Sequence, residues 1–187
     1  MTSTQEKIKK VSLIFRWLFT ALLIMVPLVH ILSWFNAPLP TDISGKLGLF
    51  IMFPIPKSLQ ILHALSLSTK IYGFLITAIP ILVIEFILYF LIRLFKLYEH
   101  AEIFSVQNVR YIKKIGYALL INQIVTIICD GFLSVILTWN NPPGLRILRL
   151  TLSGMNAGMI LTAFIIILIS WIMAEGCRLR EEQQLTI

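Results

Sequence analysis

Charged residues are scarce in this 187-residue chain, at 13%. Soluble domains carry about 25%, so an ordinary solvated surface is excluded from the start. Cysteine is rarer still, with Cys129 and Cys177 the two present. They stand in separate apolar stretches with no C-x-x-C spacing, which excludes a disulfide framework. The three histidines, His30, His63 and His100, are isolated from one another. Without an H-x-x-x-H pair, each reads as a hydrogen-bonded or interfacial side chain rather than a zinc ligand. A phosphate-binding loop, a G-x-S-x-G turn and a heme-attachment motif are missing. Nothing therefore indicates a cofactor, a metal or a catalytic cleft, and the chain reads as non-enzymatic.

Apolar residues make up 58% instead. They gather into runs long enough to cross a bilayer, which takes about 20 residues of helix. Four spans are predicted, at approximately residues 12–35, 71–96, 115–139 and 150–174. Lipid offers backbone groups no partner, so each span must be helical, and the alternation of a membrane β-barrel is absent. The expected fold is all-α, a polytopic four-helix transmembrane bundle forming one membrane domain. Lys7, Lys9 and Lys10 precede the first run much as basic residues open a signal peptide. That run is longer than the roughly 7–15 apolar residues of such a peptide, and Asn36-Ala37-Pro38-Leu39-Pro40 follows in place of a cleavage site, so a retained anchor is expected.

With the amino terminus in the cytoplasm, eleven Lys and Arg residues fall on that side and five on the other. This bias predicts both termini inside, in a bacterial inner membrane. It also absorbs most of the net charge of +7 without any direct nucleic-acid binding. Trp34, Trp139 and Trp171 stand near span ends, where indole rings anchor at the interface.

The connections differ in kind. The outer loop 36–70 is Pro-rich and partly apolar, and Ser58–Leu67 places leucines at helical spacing, read either as an interfacial helix or as a loop packed on the bundle end. Asn140 to Gly144 is a turn by composition. Between spans two and three lies a cytoplasmic elbow, 97–114, and after span four a tail, 175–187. Ser105 is placed to cap the third helix, which is predicted to begin near Val106, with Phe104 and Val109 at the positions of a hydrophobic staple. Arg110, Lys113 and Lys114 can then meet anionic headgroups, at about 1 kcal/mol each, or the tail's Glu181 and Glu182.

Glu102-Ile103-Phe104-Ser105, Asn108-Val109-Arg110, Lys113-Lys114-Ile115-Gly116 and the tail Leu179 to Ile187 stand in an order that resembles the domain-of-unknown-function 2975 family of small bacterial membrane proteins. The resemblance runs over spans two to four and the tail. It implies a four-helix layout and transfers no catalytic residues. Members of that family often look like neighbours of a small helix-turn-helix regulator, which implies a cytoplasmic regulatory protein as a partner.

Ionisable residues inside spans are costly and so are default functional candidates. Glu85 stands in span two and Asp130 in span three, with Asn122, Thr126 and Asp130 spaced i, i+4, i+8 on one helical stripe. No Lys or Arg sits at their depth. They read either as a proton or cation site between helices two and three, or as polar glue worth about 0.6–2 kcal/mol per bond. Gly154 and Gly158 form a G-x-x-x-G pattern, which suits close helix packing within the chain or a homo-oligomer face.

Two functions from different classes are compatible with these features. In the first, Glu102, Phe104, Asn108 and Arg110 of the elbow and Arg180, Glu181, Glu182 and Gln183 of the tail form the working surface of a binding or regulatory membrane protein. In the alternative, Glu85 and Asp130 serve a small proton- or cation-responsive channel or transporter subunit.

Overall fold

The computed structural model describes residues 3–35, 66–100, 102–142, 144–150 and 154–185. They form four long helices: α1 (Ser3–Phe35), α2 (Leu67–Glu99), α3 (Val106–Thr138) and α4 (Gly154–Leu185). All four are long and apolar enough to cross a membrane, and among the described residues there is no strand. The all-α, multi-pass architecture expected from the apolar runs is therefore present. Their surfaces suit lipid: Trp17, Ile24, Phe86, Leu161 and Ile172 are among many large apolar side chains left exposed. The interfacial helix expected over 58–67 falls almost wholly outside the described residues, which resume at Ser66.

Local chemistry sets the helix boundaries. Ser66 caps α2 by accepting the Thr69 N–H on its hydroxyl at 3.2 Å. Ser105 does the same for α3, accepting the Asn108 N–H at 3.2 Å, so the helix begins at Val106 as the cap predicts. Span four differs from expectation at its start. Residues 145–150 are not helical and run back along α3, where the Ser134 and Thr138 hydroxyls accept the N–H groups of Arg149 (2.9 Å) and Ile147 (3.2 Å). The same two hydroxyls donate to carbonyls of their own helix, at 2.7 and 2.8 Å, so each both donates and accepts. The preceding turn closes with the Leu145 N–H on the Pro142 carbonyl at 3.1 Å. Gly144 in this turn is left-handed, φ +98°.

The chain divides into two compact units. The first comprises Met1–Ile24, Val83–Gln123 and Gly154–Ile187. Its core is Ile87, Leu94 and Ile115, with Phe90, Leu91, Ile112 and Leu119 packed around them, so α2 and α3 interlock as an antiparallel pair. Gly116 lets α4 come close: a Cβ there would lie 2.6 Å from Ile167 Cγ1 and 3.4 Å from the Ala163 carbonyl. Ala163, Ile167, Ser170 and Cys177 form the buried stripe of α4, at i, i+4, i+7 and i+14. Against α2, α1 contributes Phe15 and Phe19, whose ring centroids lie 5.2 and 5.4 Å from that of Phe95.

The second unit comprises Met25–Leu82 and Ile124–Ser153. Here α1 meets α2 through His30 and Trp34. The His30 ring stacks on Phe74 at 4.8 Å, with Nε2 3.3 Å from the Phe74 carbonyl. Trp34 lies over Gly73 and donates Nε1–H to the Thr77 hydroxyl at 3.0 Å, and Thr77 passes its own proton to the Gly73 carbonyl at 2.8 Å. His30 thus has the hydrogen-bonded role read from its isolation in the sequence.

Candidate functional site

The densest polar construction in the first unit is the elbow joining α2 to α3. At the end of α2 the N–H groups of His100 and Glu102 both turn back onto the Leu97 carbonyl at 3.0 Å, reversing the chain within a few residues. Asn108 then pins the reversal. It is completely buried, accepts the Tyr98 hydroxyl on Oδ1 at 3.3 Å, and donates Nδ2–H to the Ile103 carbonyl. One amide thereby ties the last turn of α2, the elbow and the first turn of α3 together. On the other flank Arg16 of α1 reaches Glu99, Nε to Oε1 3.0 Å, with the two side chains 30% and 10% exposed. The N–H does not point along that line, so the contact is an ion pair rather than a directed hydrogen bond.

The elbow faces the far end of α4, which continues as a helix through the expected tail to Leu185. Between them is a cleft of about 330 Å³. Glu102, Ile103, Phe104 and Val106 line it from the elbow, and Cys177, Arg180 and Glu181 from α4. Its lining mixes apolar side chains and the buried Cys177 with charges of both signs. Phe104 presents its ring outward, 60% exposed, at the mouth.

A family model described as "Protein of unknown function (DUF2975)" matches residues 55–187, which takes in α2, the elbow, α3 and α4 with its cleft. The chain belongs to the DUF2975 family. No curated protein and no solved structure matches it.

In this DUF2975 protein the cleft brings together Glu102, Phe104, Arg180 and Glu181, four of the eight residues expected on the working surface. Asn108 corrects that expectation: its side chain is consumed inside the elbow, so it shapes the surface without belonging to it. Arg110 is exposed but lines a separate cleft on α3. Glu182 pairs at 3.5 Å with Arg178, which also holds Glu175 at 2.7 Å. Spacings of i+3 and i+4 put these partners on one helix face, so Glu175 and Glu182 pair within their own helix. Gln183 is exposed close by.

The intramembrane residues fall on α2 and on one stripe of α3. Glu85 and Asn122 fall in the first unit, Thr126 and Asp130 in the second. Glu85 Oε1 and Asn122 Oδ1 are both buried with no hydrogen-bond partner among the described residues. Gly158 is exposed, and nothing described lies within 4 Å of a Cβ built on it. Among the described residues, α4 makes its close approach to α3 at Ala163 and Ile167, beside Gly116, rather than at Gly158.

Sequence reasoning missed the Arg16–Glu99 pair and the Tyr98–Asn108 bond. A signal for the first was present, since Arg16 interrupts the apolar character at the start of a span and must find a partner or the interface. Nothing in the residue order marked the second.

Proposed function

We propose that this protein is a non-enzymatic, bacterial inner-membrane component that works by binding, with its elbow and both termini in the cytoplasm. Its cleft would hold a segment of a cytoplasmic regulatory protein, with a helix-turn-helix regulator the leading candidate. The observation that carries this reading is the joint lining of one cleft by Glu102, Ile103 and Phe104 of the elbow and Cys177, Arg180 and Glu181 of α4. The eleven-to-five distribution of basic residues supports the orientation. The partner would insert an apolar side chain beside Phe104 and match the rim charges. Full-length tagged protein purified in mild detergent should bring down a stoichiometric cytoplasmic protein. Phe104→Ala, Glu181→Lys and truncation after Cys177 should each release it. If all three variants retain the same bound protein, the cleft is not the docking site.

One observation favours a second reading, a proton- or cation-responsive membrane subunit. Two orphaned oxygens, Glu85 Oε1 and Asn122 Oδ1, are buried on α2 and α3 of a single unit, and an unpaired buried acceptor is costly unless something binds it. Proteoliposomes should then show a cation or proton flux that Glu85→Gln removes. Flux no greater than that of empty vesicles would end this reading.

A further inference from the structure

A second cleft, of about 510 Å³, opens on α3 beside the elbow and is lined by Val106, Gln107, Arg110, Tyr111 and Lys114. It shares only Val106 with the elbow–tail cleft. Both charged side chains in its lining are cationic. Aromatic rings rather than carboxylates hold this surface in place. Tyr111 stacks on Phe90 at 6.1 Å and accepts Gln107 Nε2–H on its hydroxyl at 3.0 Å, while Lys114 Nζ stands 5.0 Å above the Phe90 ring. On the neighbouring turn of α2, Arg93 lies 5.5 Å above Tyr89 and donates Nε–H to its hydroxyl at 3.1 Å.

Among the described residues, Arg93, Lys96, Arg110, Lys113 and Lys114 form no ion pair. Of the carboxylates around them, Glu99 is paired with Arg16 and Glu175 and Glu182 with Arg178, while Glu102 and Glu181 line the other cleft and form no ion pair with these cations. This leaves an uncompensated cationic patch at the end of a membrane-spanning helix pair. Aromatic rings at that level mark the depth of lipid headgroups.

The helix below the cleft identifies the occupant. Arg110, Lys114, Tyr117 and Ile121 follow one another at i, i+4, i+7 and i+11, a single ridge that passes from cation to exposed apolar surface, with Tyr117 43% and Ile121 52% exposed. A free phosphate or an acidic peptide would use only the upper half of this ridge. An amphiphile uses all of it. We propose that the cleft binds the phosphodiester headgroup of an anionic phospholipid, with Arg110 and Lys114 on the phosphate and an acyl chain along Tyr117 and Ile121. Charge-assisted hydrogen bonds from guanidinium and ammonium to phosphate supply the recognition.

The test is native mass spectrometry of the full-length protein titrated with phosphatidylglycerol or phosphatidylcholine. Phosphatidylglycerol should bind more tightly, and the double variant Arg110→Gln, Lys114→Gln should weaken it by about tenfold, or about 1.4 kcal/mol. Arg110→Lys with Lys114→Arg should retain binding, which shows that charge rather than folding is at stake. Equal binding of the two lipids, or unchanged binding by the Gln variant, would overturn the proposal. So would competition by the chain-free headgroup glycerophosphoglycerol as strong as that by the lipid, which would indicate a soluble phosphate ligand. Displacement of the lipid by polyglutamate would overturn it in favour of an acidic protein partner.

Discussion

Replacing Asn108 by alanine should loosen the elbow and, with it, the floor of the elbow–tail cleft. The asparagine is completely buried and makes two side-chain hydrogen bonds, from the Tyr98 hydroxyl and to the Ile103 carbonyl. An alanine leaves both partners unpaired. A buried hydrogen bond contributes about 1 kcal/mol net, and a stranded partner costs about 1–3 kcal/mol. Tyr98 and Ile103 are only half-buried and can recover part of this from water, so about 2–3 kcal/mol is expected for the pair. The loss should appear as local opening, because the elbow is a surface turn rather than part of the Ile87–Leu94–Ile115 core. Cys177 reports on it, being buried at 6% exposure and lining the same cleft as the elbow's Ile103 and Val106. In a Cys129→Ala background, the rate of maleimide labelling at Cys177 should rise about 30- to 150-fold, each 1.4 kcal/mol being tenfold in the open population. Ser105→Ala removes only the cap, worth about 1 kcal/mol, and should raise the rate about fivefold. If Asn108→Ala labels at the wild-type rate, Asn108 does not hold the elbow closed.

Two further experiments examine the packing of the first unit. Gly116→Val should lower the thermal midpoint in detergent, because its side chain must displace Ile167 where backbone atoms also approach within 3.4 Å; overpacking of this kind costs about 1–3 kcal/mol. Adding Ile167→Ala should restore part of the loss, and no restoration would show that the close α3–α4 approach is not the cause. A double-mutant cycle of Arg16→Gln and Glu99→Gln should give a coupling of about 1–3 kcal/mol, between the values for exposed and buried pairs. Additivity within about 0.3 kcal/mol would mean that the pair does not clamp α1 to α2.

The helices were legible in the residue order because their cause is local. A span needs only apolar length, and a helix start needs only a capping hydroxyl, so the four spans and the Val106 start forced by Ser105 follow from composition and spacing alone. The turn at Asn140 to Gly144 was legible for the same reason. The start of span four was not. Leu150 reads as membrane-spanning by hydropathy, yet the hydroxyls of Ser134 and Thr138, fifteen and nine residues before the N–H groups they accept, hold the chain leading up to it out of a helix.

The candidate site divides along the same line. Glu102, Phe104, Arg180 and Glu181 stood out as charged or aromatic residues beside span ends, and membrane topology alone brings those ends to one level. Which of them share a cleft was decided by packing, through the buried Asn108 that shapes the elbow and the Gly116 contact that draws α4 toward α3. Charge partners were decided there too. An acidic tail near a basic elbow suggests attraction between them, but i+3 and i+4 neighbours on a helix are always within reach, and Arg178 holds Glu175 and Glu182. The sequence by itself determined an all-α membrane protein, its helix starts and a strong asymmetry of charge. Tertiary structure decided which cations stay free of carboxylates, because that depends on side-chain reach between helices far apart in the chain.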